Sequence, residues 1–175
     1  ILWNHRWEYD KNPDQFFNSL KKIKEDNYKF NLVVLGEEFQ TEMSIFNKAR
    51  ELFADELLHI GYCDSFTDYA KWLWKSDILP ITSNQDFFGI SIMEAVYCKT
   101  IPILPNRLTY PELFKSDRTI FYNNDNELIE KIKASINNLS SYKKLNKLAS
   151  KFDWTKIAKK YDIIMNNVYY SNIQK

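Results

Sequence analysis

The chain has 175 residues, of which 45% are hydrophobic, 27% charged and 16% aromatic, and its net charge is +1. That length suits one domain with a substantial core, and the near-neutral balance supplies no global field for nucleic acid or a membrane surface, although a local basic patch remains open. No apolar stretch approaches ~18 residues and no secretory leader is evident, so the expectation is a cytoplasmic protein without membrane contact, whose Cys63 and Cys98 lack metal-ligand spacing and read as reduced, buried thiols.

The chain opens ILWNHRW, directly in a strand and without an initiator Met, which reads as a single domain, residues 1–175, from the C-terminal part of a two-domain protein. Ile1–His5 is the first strand. Asn12 caps a helix that Pro13 begins, with Phe16, Phe17, Leu20 and Ile23 on one face. Phe30–Leu35 forms a second strand ended by Gly36, and a helix follows over Glu42–Phe53. Leu57–Ile60 is a third strand ended by Gly61. Ser65 caps a helix to Trp74, with Asp68 three residues on. Asp77–Ile81 is the fourth strand, Ile90–Tyr97 a helix, and Ile101–Leu104 and Thr119–Tyr122 the fifth and sixth strands. Asp125–Asn138, Tyr142–Phe152 and Thr155–Tyr170 close the chain as helices, the last leaving Tyr169 and Tyr170 exposed. Short strands alternating with helices specify an α/β, Rossmann-like three-layer sandwich around a roughly six-stranded parallel sheet.

In such a sheet, ligands bind outside the carboxyl ends of the strands. Gly36, Gly61 and Gly89, the only glycines, all fall on that edge, where they either admit a ligand to the backbone or simply end strands. DFFGISIMEA, residues 86–95, places Gly89, Ile90 and Ser91 at a helix start. Their amides are then unpaired first-turn donors, an anion seat reinforced by the helix dipole. Asp86 lies in the loop ahead, and Glu94, in the second turn, either faces the crevice or forms a surface ion pair. One of Phe87 and Phe88 is expected in the core and the other on the crevice wall. NHRWEYDKNP, residues 4–13, carries Arg6 and Lys11 just past the first strand, as a diphosphate clamp or as two solvated cations. His5 is a packed strand-end residue or a site residue, and His59 is structural. No G-x-G-x-x-G or phosphate-loop motif occurs, which argues against nicotinamide dehydrogenases and phosphate-loop NTPases. PNRLTYPEL, residues 105–113, is a stiff loop whose Asn106, Arg107 and Glu112 suit a sugar or phosphate, or merely brace the loop.

These three segments, in this order, resemble the C-terminal, donor-binding half of the retaining GT-B glycosyltransferases of family four. The family usually has Glu where this chain has Asp86, G-R where it has His5–Arg6, and K-G where it has Lys11–Asn12. With those departures, NHRWEYDKNP, QDFFGIS and PNRLTYPEL look like the subgroup of tRNA-queuosine α-mannosyltransferases, over about residues 1–115. The resemblance implies a nucleotide-diphosphate sugar, GDP-mannose for that subgroup, with queuosine in tRNA as acceptor. It implies Arg6, Lys11 and Asp86 as catalytic residues. Gly36, Phe88, Gly89, Ile90, Ser91, Glu94, Asn106 and Arg107 would bind the donor, Glu94 at the ribose. It also implies no metal and no other cofactor, since protein cations serve the diphosphate. The acceptor tRNA would be met mainly by the other half of the enzyme, and this piece alone would bind donor without transferring it. A non-catalytic nucleotide-sugar-binding module and a GT-B-like sugar-nucleotide epimerase are the alternatives.

Overall fold

The computed structural model describes residues 1–37, 44–115, 119–139 and 145–173. In chain order the elements are β1 (Leu2–Trp3), α1 (Pro13–Glu25), β2 (Leu32–Leu35), α2 (Ser44–Leu52), β3 (Leu57–Gly61), α3 (Phe66–Lys75) and β4 (Ile78–Pro80). There follow α4 (Ile90–Tyr97), β5 (Ile101–Pro105), α5 (Tyr110–Leu113), β6 (Phe121–Tyr122), α6 (Asp125–Asn137), α7 (Asn146–Ala149) and α8 (Trp154–Ile173). The expected helix starts at Glu42–Met43 and at Tyr142–Lys144 lie outside the described residues. Local chemistry sets the starts of α1, α3 and α6: the side chains of Asn12, Ser65 and Asn124 accept from the amides of Gln15, Asp68 and Glu127. The segment after β5, expected as a loop, contains the short helix α5, which Pro111 helps to start.

All pairings among the described strands are parallel, as expected, but the six strands form two three-stranded sheets, β1-β2-β3 and β4-β5-β6, rather than one. β1 has only two residues, both registered on β2, while the three residues of β4 are registered on β5. β1 and β4 still lie side by side, and the loops beyond them make the connection. Asn84 donates its amide to the Asp10 carbonyl at 2.8 Å, and the Thr82 hydroxyl donates to the carbonyls of Lys11 and Asn12 at 2.8 and 3.0 Å.

The alternation of the strands divides the core into two. Leu2, Val33, Leu35, Leu79, Leu104 and Phe121 face α3, α4, α5 and α7. Trp3, Leu32, Val34, Ile78, Ile103 and Tyr122 face α1, α2 and α6. The second core is aromatic: Trp7 stacks on Phe46 at 4.2 Å, and Trp3 meets Phe16 edge-on at 5.0 Å. Among the described residues no helix is long and apolar enough to cross a membrane. α8 carries exposed Tyr161, Met165, Val168, Tyr169 and Tyr170.

Candidate active site

The carboxyl ends of β1 and β4 open into a cleft of about 410 Å³ lined by Asn4, His5, Arg6, Lys11, residues 86–88 and the start of α4 at Gly89, Ile90 and Ser91. It continues past Arg6, Lys11, Asp86 and Phe87 into a space walled by Glu8, Tyr9 and Asp10. The structure therefore brings the first two sequence segments together. Asn106 and Arg107 of the third are not brought into this cleft. Asn106 donates to the Asn123 side chain at 3.0 Å, and Arg107 donates to the carbonyls of Thr82 and Ser83 at 3.2 and 3.0 Å and to Asn84 Oδ1 at 3.3 Å. Arg107 braces the loop after β4 instead.

Both cations of the β1 loop face the cleft, with different freedom. Arg6 is 62% exposed and ion-paired with Glu8 at 3.1 Å. The Lys11 side chain is 12% exposed, with Nζ 3.0 Å from Asp10 Oδ2 and donating to the Gln85 carbonyl at 2.8 Å. Lys11 is thus a held point charge, and Arg6 an exposed fork.

The helix start differs from the sequence expectation in one respect. The Gly89 amide, expected among the free donors, donates to Asp86 Oδ1 at 2.9 Å. The amide lies three positions after the carboxylate, so the bond is a local side-chain-to-backbone contact that closes the turn ahead of α4. Gly89 adopts φ 76°, a left-handed conformation, and a Cβ there would press Ile92. The amides of Ile90 and Ser91 remain as first-turn donors that no carbonyl of their own helix can reach. Asp86 Oδ2 accepts from the Tyr110 hydroxyl at 3.1 Å. Burial and the Asp86 charge push the Tyr110 phenol upward, so it serves as a donor at neutral pH.

Glu94 lines a neighbouring, mainly apolar space of about 460 Å³ with Tyr69, Phe88 and Phe152. Its Oε2 accepts from the Tyr69 hydroxyl at 2.8 Å. The Tyr69 phenol is likewise pushed up, by burial and then by this bond. Tyr69 also lines a third space, about 340 Å³, with Gly36, Tyr62 and Ser65. Gly36 adopts φ 115°, and a Cβ on it would collide with the His5 carbonyl oxygen. Its need for glycine comes from packing against His5 and Trp7 in the segment after β1. Neither Phe87, 84% exposed, nor Phe88, 39% exposed, enters the core: both wall the clefts, and Phe88 meets Phe152 edge-on. The expectation of one buried ring fails because the sharp turn at Gly89 leaves residues 87–88 outside the sheet.

His5 is buried, with Nδ1 3.2 Å from Ser91 Oγ. Burial, then the nearby Lys11 charge, push its imidazole down to about 4. His59, half-buried in β3, lies against Trp72 and its Nε2 sits 3.2 Å from the Gly61 carbonyl, consistent with a structural part. Tyr69, Tyr110 and Asn4, whose amide donates to the Ser91 carbonyl at 2.8 Å, escaped sequence reasoning as site residues. Asn4 lies inside NHRWEYDKNP and Tyr110 inside PNRLTYPEL, whereas no motif or spacing signal marks Tyr69. Among the described residues no three His, Cys, Asp or Glu side chains converge as metal ligands.

A family model described as Glycosyl transferases group 1 matches residues 1–152. A tRNA-queuosine alpha-mannosyltransferase from Drosophila melanogaster is 33% identical over 132 residues, 75% of this chain. The chain spans 34% of that relative's length. Sucrose-phosphate synthase from Thermosynechococcus elongatus superposes with a TM-score of 0.77 at 16% identity, over 97% of this chain and 45% of that one. The pneumococcal O-GlcNAc transferase GtfA, solved with UDP and GlcNAc, superposes with a TM-score of 0.75 at 15% identity, over 96% of this chain and 35% of that one.

Proposed function

This chain belongs to the glycosyl transferases group 1 family, and from that premise we propose that it is the donor-binding domain of a retaining glycosyltransferase, transferring mannose from GDP-mannose to queuosine in tRNA. The observation that carries the reading is the single cleft in which Arg6, Lys11, Asp86 and the first turn of α4 converge. The donor class and acceptor rest on the likeness to the Drosophila mannosyltransferase.

In this reading the diphosphate lies on the Ile90 and Ser91 amides, with Arg6 and Lys11 on its flank. The bond between the sugar's anomeric carbon and the diphosphate oxygen breaks, and its electron pair leaves on that oxygen. The acceptor hydroxyl oxygen bonds to the anomeric carbon on the same face, and its proton passes to the departing phosphate oxygen. Arg6 and Lys11 are aimed where negative charge grows, which stabilises the transition state more than the bound donor. They make a metal ion unnecessary in this proposal. Glu94, held through Oε2 by Tyr69, offers Oε1 to a ribose hydroxyl, and Asp86 lies beside the transferred sugar. Gly36 and Phe88 wall the nucleoside and sugar ends.

Isothermal titration of the chain with GDP and GDP-mannose tests this. Micromolar binding that weakens on Arg6→Ala is expected, and binding indifferent to that change would refute the diphosphate assignment. The chain by itself is expected to bind donor and transfer nothing. A second reading, a non-catalytic binding module, is favoured by the engagement of both Asp86 oxygens, by Gly89 and Tyr110. Mannosyl transfer by the protein joined to an acceptor-binding half would exclude it.

A further inference from the structure

We propose that His5 is a positioning residue: it holds Ser91 so that the serine hydroxyl donates into the cleft, adding a side-chain donor to the amides of the α4 start. The inference rests on the diphosphate reading above.

The His5 backbone is fixed from two directions. Its carbonyl accepts from Trp3 Nε1 at 2.9 Å, and the same oxygen stands where a Cβ on Gly36 would be. The ring meets Trp3 edge-on at 5.4 Å. Ser91 is fixed as well, because its carbonyl accepts from Asn4 Nδ2 at 2.8 Å. Between these anchored residues, His5 Nδ1 and Ser91 Oγ are 3.2 Å apart. His5 Nε2 is buried without a hydrogen-bond partner.

That orphaned nitrogen selects the tautomer. A neutral imidazole carries its proton on one nitrogen only. With the proton on Nε2, a buried ring N–H would lack any acceptor, at the full desolvation cost of an unsatisfied donor. With the proton on Nδ1, the N–H donates to Ser91 Oγ and only a lone pair is left bare. The Ser91 oxygen is then an acceptor toward His5, and its own proton turns away from the imidazole. Ser91 lines the cleft, so that proton can meet a phosphate oxygen. A charged acceptor makes such a bond stronger than a neutral one.

A long-range proton–nitrogen correlation spectrum of the labelled chain reads the tautomer, and Nδ1–H is expected. Titrations with GDP, GMP and guanosine then read the consequence. His5→Leu and Ser91→Ala should each weaken GDP about tenfold and leave guanosine unchanged. The double variant should bind GDP no more weakly than Ser91→Ala alone. His5→Asn, whose amide can stand where Nδ1 stood, should restore most of the affinity, and thermal melts show that each variant is folded. An Nε2–H tautomer, an equal loss of guanosine, or a full additional loss in the double variant would overturn the role of His5 while GDP binding stands. A wild-type chain that takes no GDP would instead overturn the donor reading itself.

Discussion

Two arginines stand at the same edge of the sheet, and the protein uses them in opposite ways. Arg6, beyond β1, is largely exposed and touches its neighbour Glu8. Arg107, beyond β5, directs its guanidinium to two carbonyls and an amide oxygen of the loop after β4. In sequence both are arginines in a polar loop after a strand. In the fold one leaves its guanidinium exposed at the cleft and the other uses it to brace the loop after β4. A guanidinium is a candidate for recognition only while its donors remain available, and that is a property of the tertiary structure.

The largest effect should come from the ligand-facing pair. Replacing both Arg6 and Lys11 by Met should weaken GDP several-hundredfold, about 3–4 kcal/mol for two charge-assisted contacts, with isothermal titration as the measure. Next comes the floor beneath that loop. The folded pKa of His5, about 4, lies below its ordinary 6.5, so the unfolded chain binds the extra proton first as pH falls. Stability is then complete above about pH 6.5 and falls by about 3 kcal/mol on acidification toward pH 4. Urea unfolding at several pH values should show this slope, and His5→Leu should flatten it. Arg107→Ala should instead cost about 1–2 kcal/mol of stability while shifting GDP affinity less than threefold. An affinity loss as large as that of Arg6→Ala would erase the contrast between the two arginines. The smallest effect belongs to Phe87→Ala, within about 0.5 kcal/mol of wild type by thermal unfolding, because an exposed ring contributes little burial.

The strands and helices were legible because their periodicities are strong. Ile90–Tyr97 stands where the apolar run predicts it, and Asn12 and Ser65 cap as their side chains require. The single six-stranded sheet was not legible, since the number of residues that β1 can register is decided by its neighbours. At the site, the grouping of Arg6 and Lys11 with the α4 start follows from the α/β topology. The engagement of Gly89 by Asp86 does not, because either a turn or a free amide fits the same letters. The Tyr69–Glu94 and Tyr110–Asp86 bonds join residues 25 and 24 apart, beyond any local pattern.

The seam between β1 and β4 gives the ligand a mechanical meaning. Where a continuous sheet would hold these strands by a backbone ladder, this protein ties them at one end, through Asp10, Thr82, Asn84 and the Lys11–Gln85 contact. A molecule gripped by Arg6 on one side and by the Ile90 and Ser91 amides on the other would bridge that same line as a cross-brace. The two half-sheets would then resist separation together, so occupancy should be felt as slower amide exchange at Asn84, beneath the site, as well as in the loops that touch the ligand.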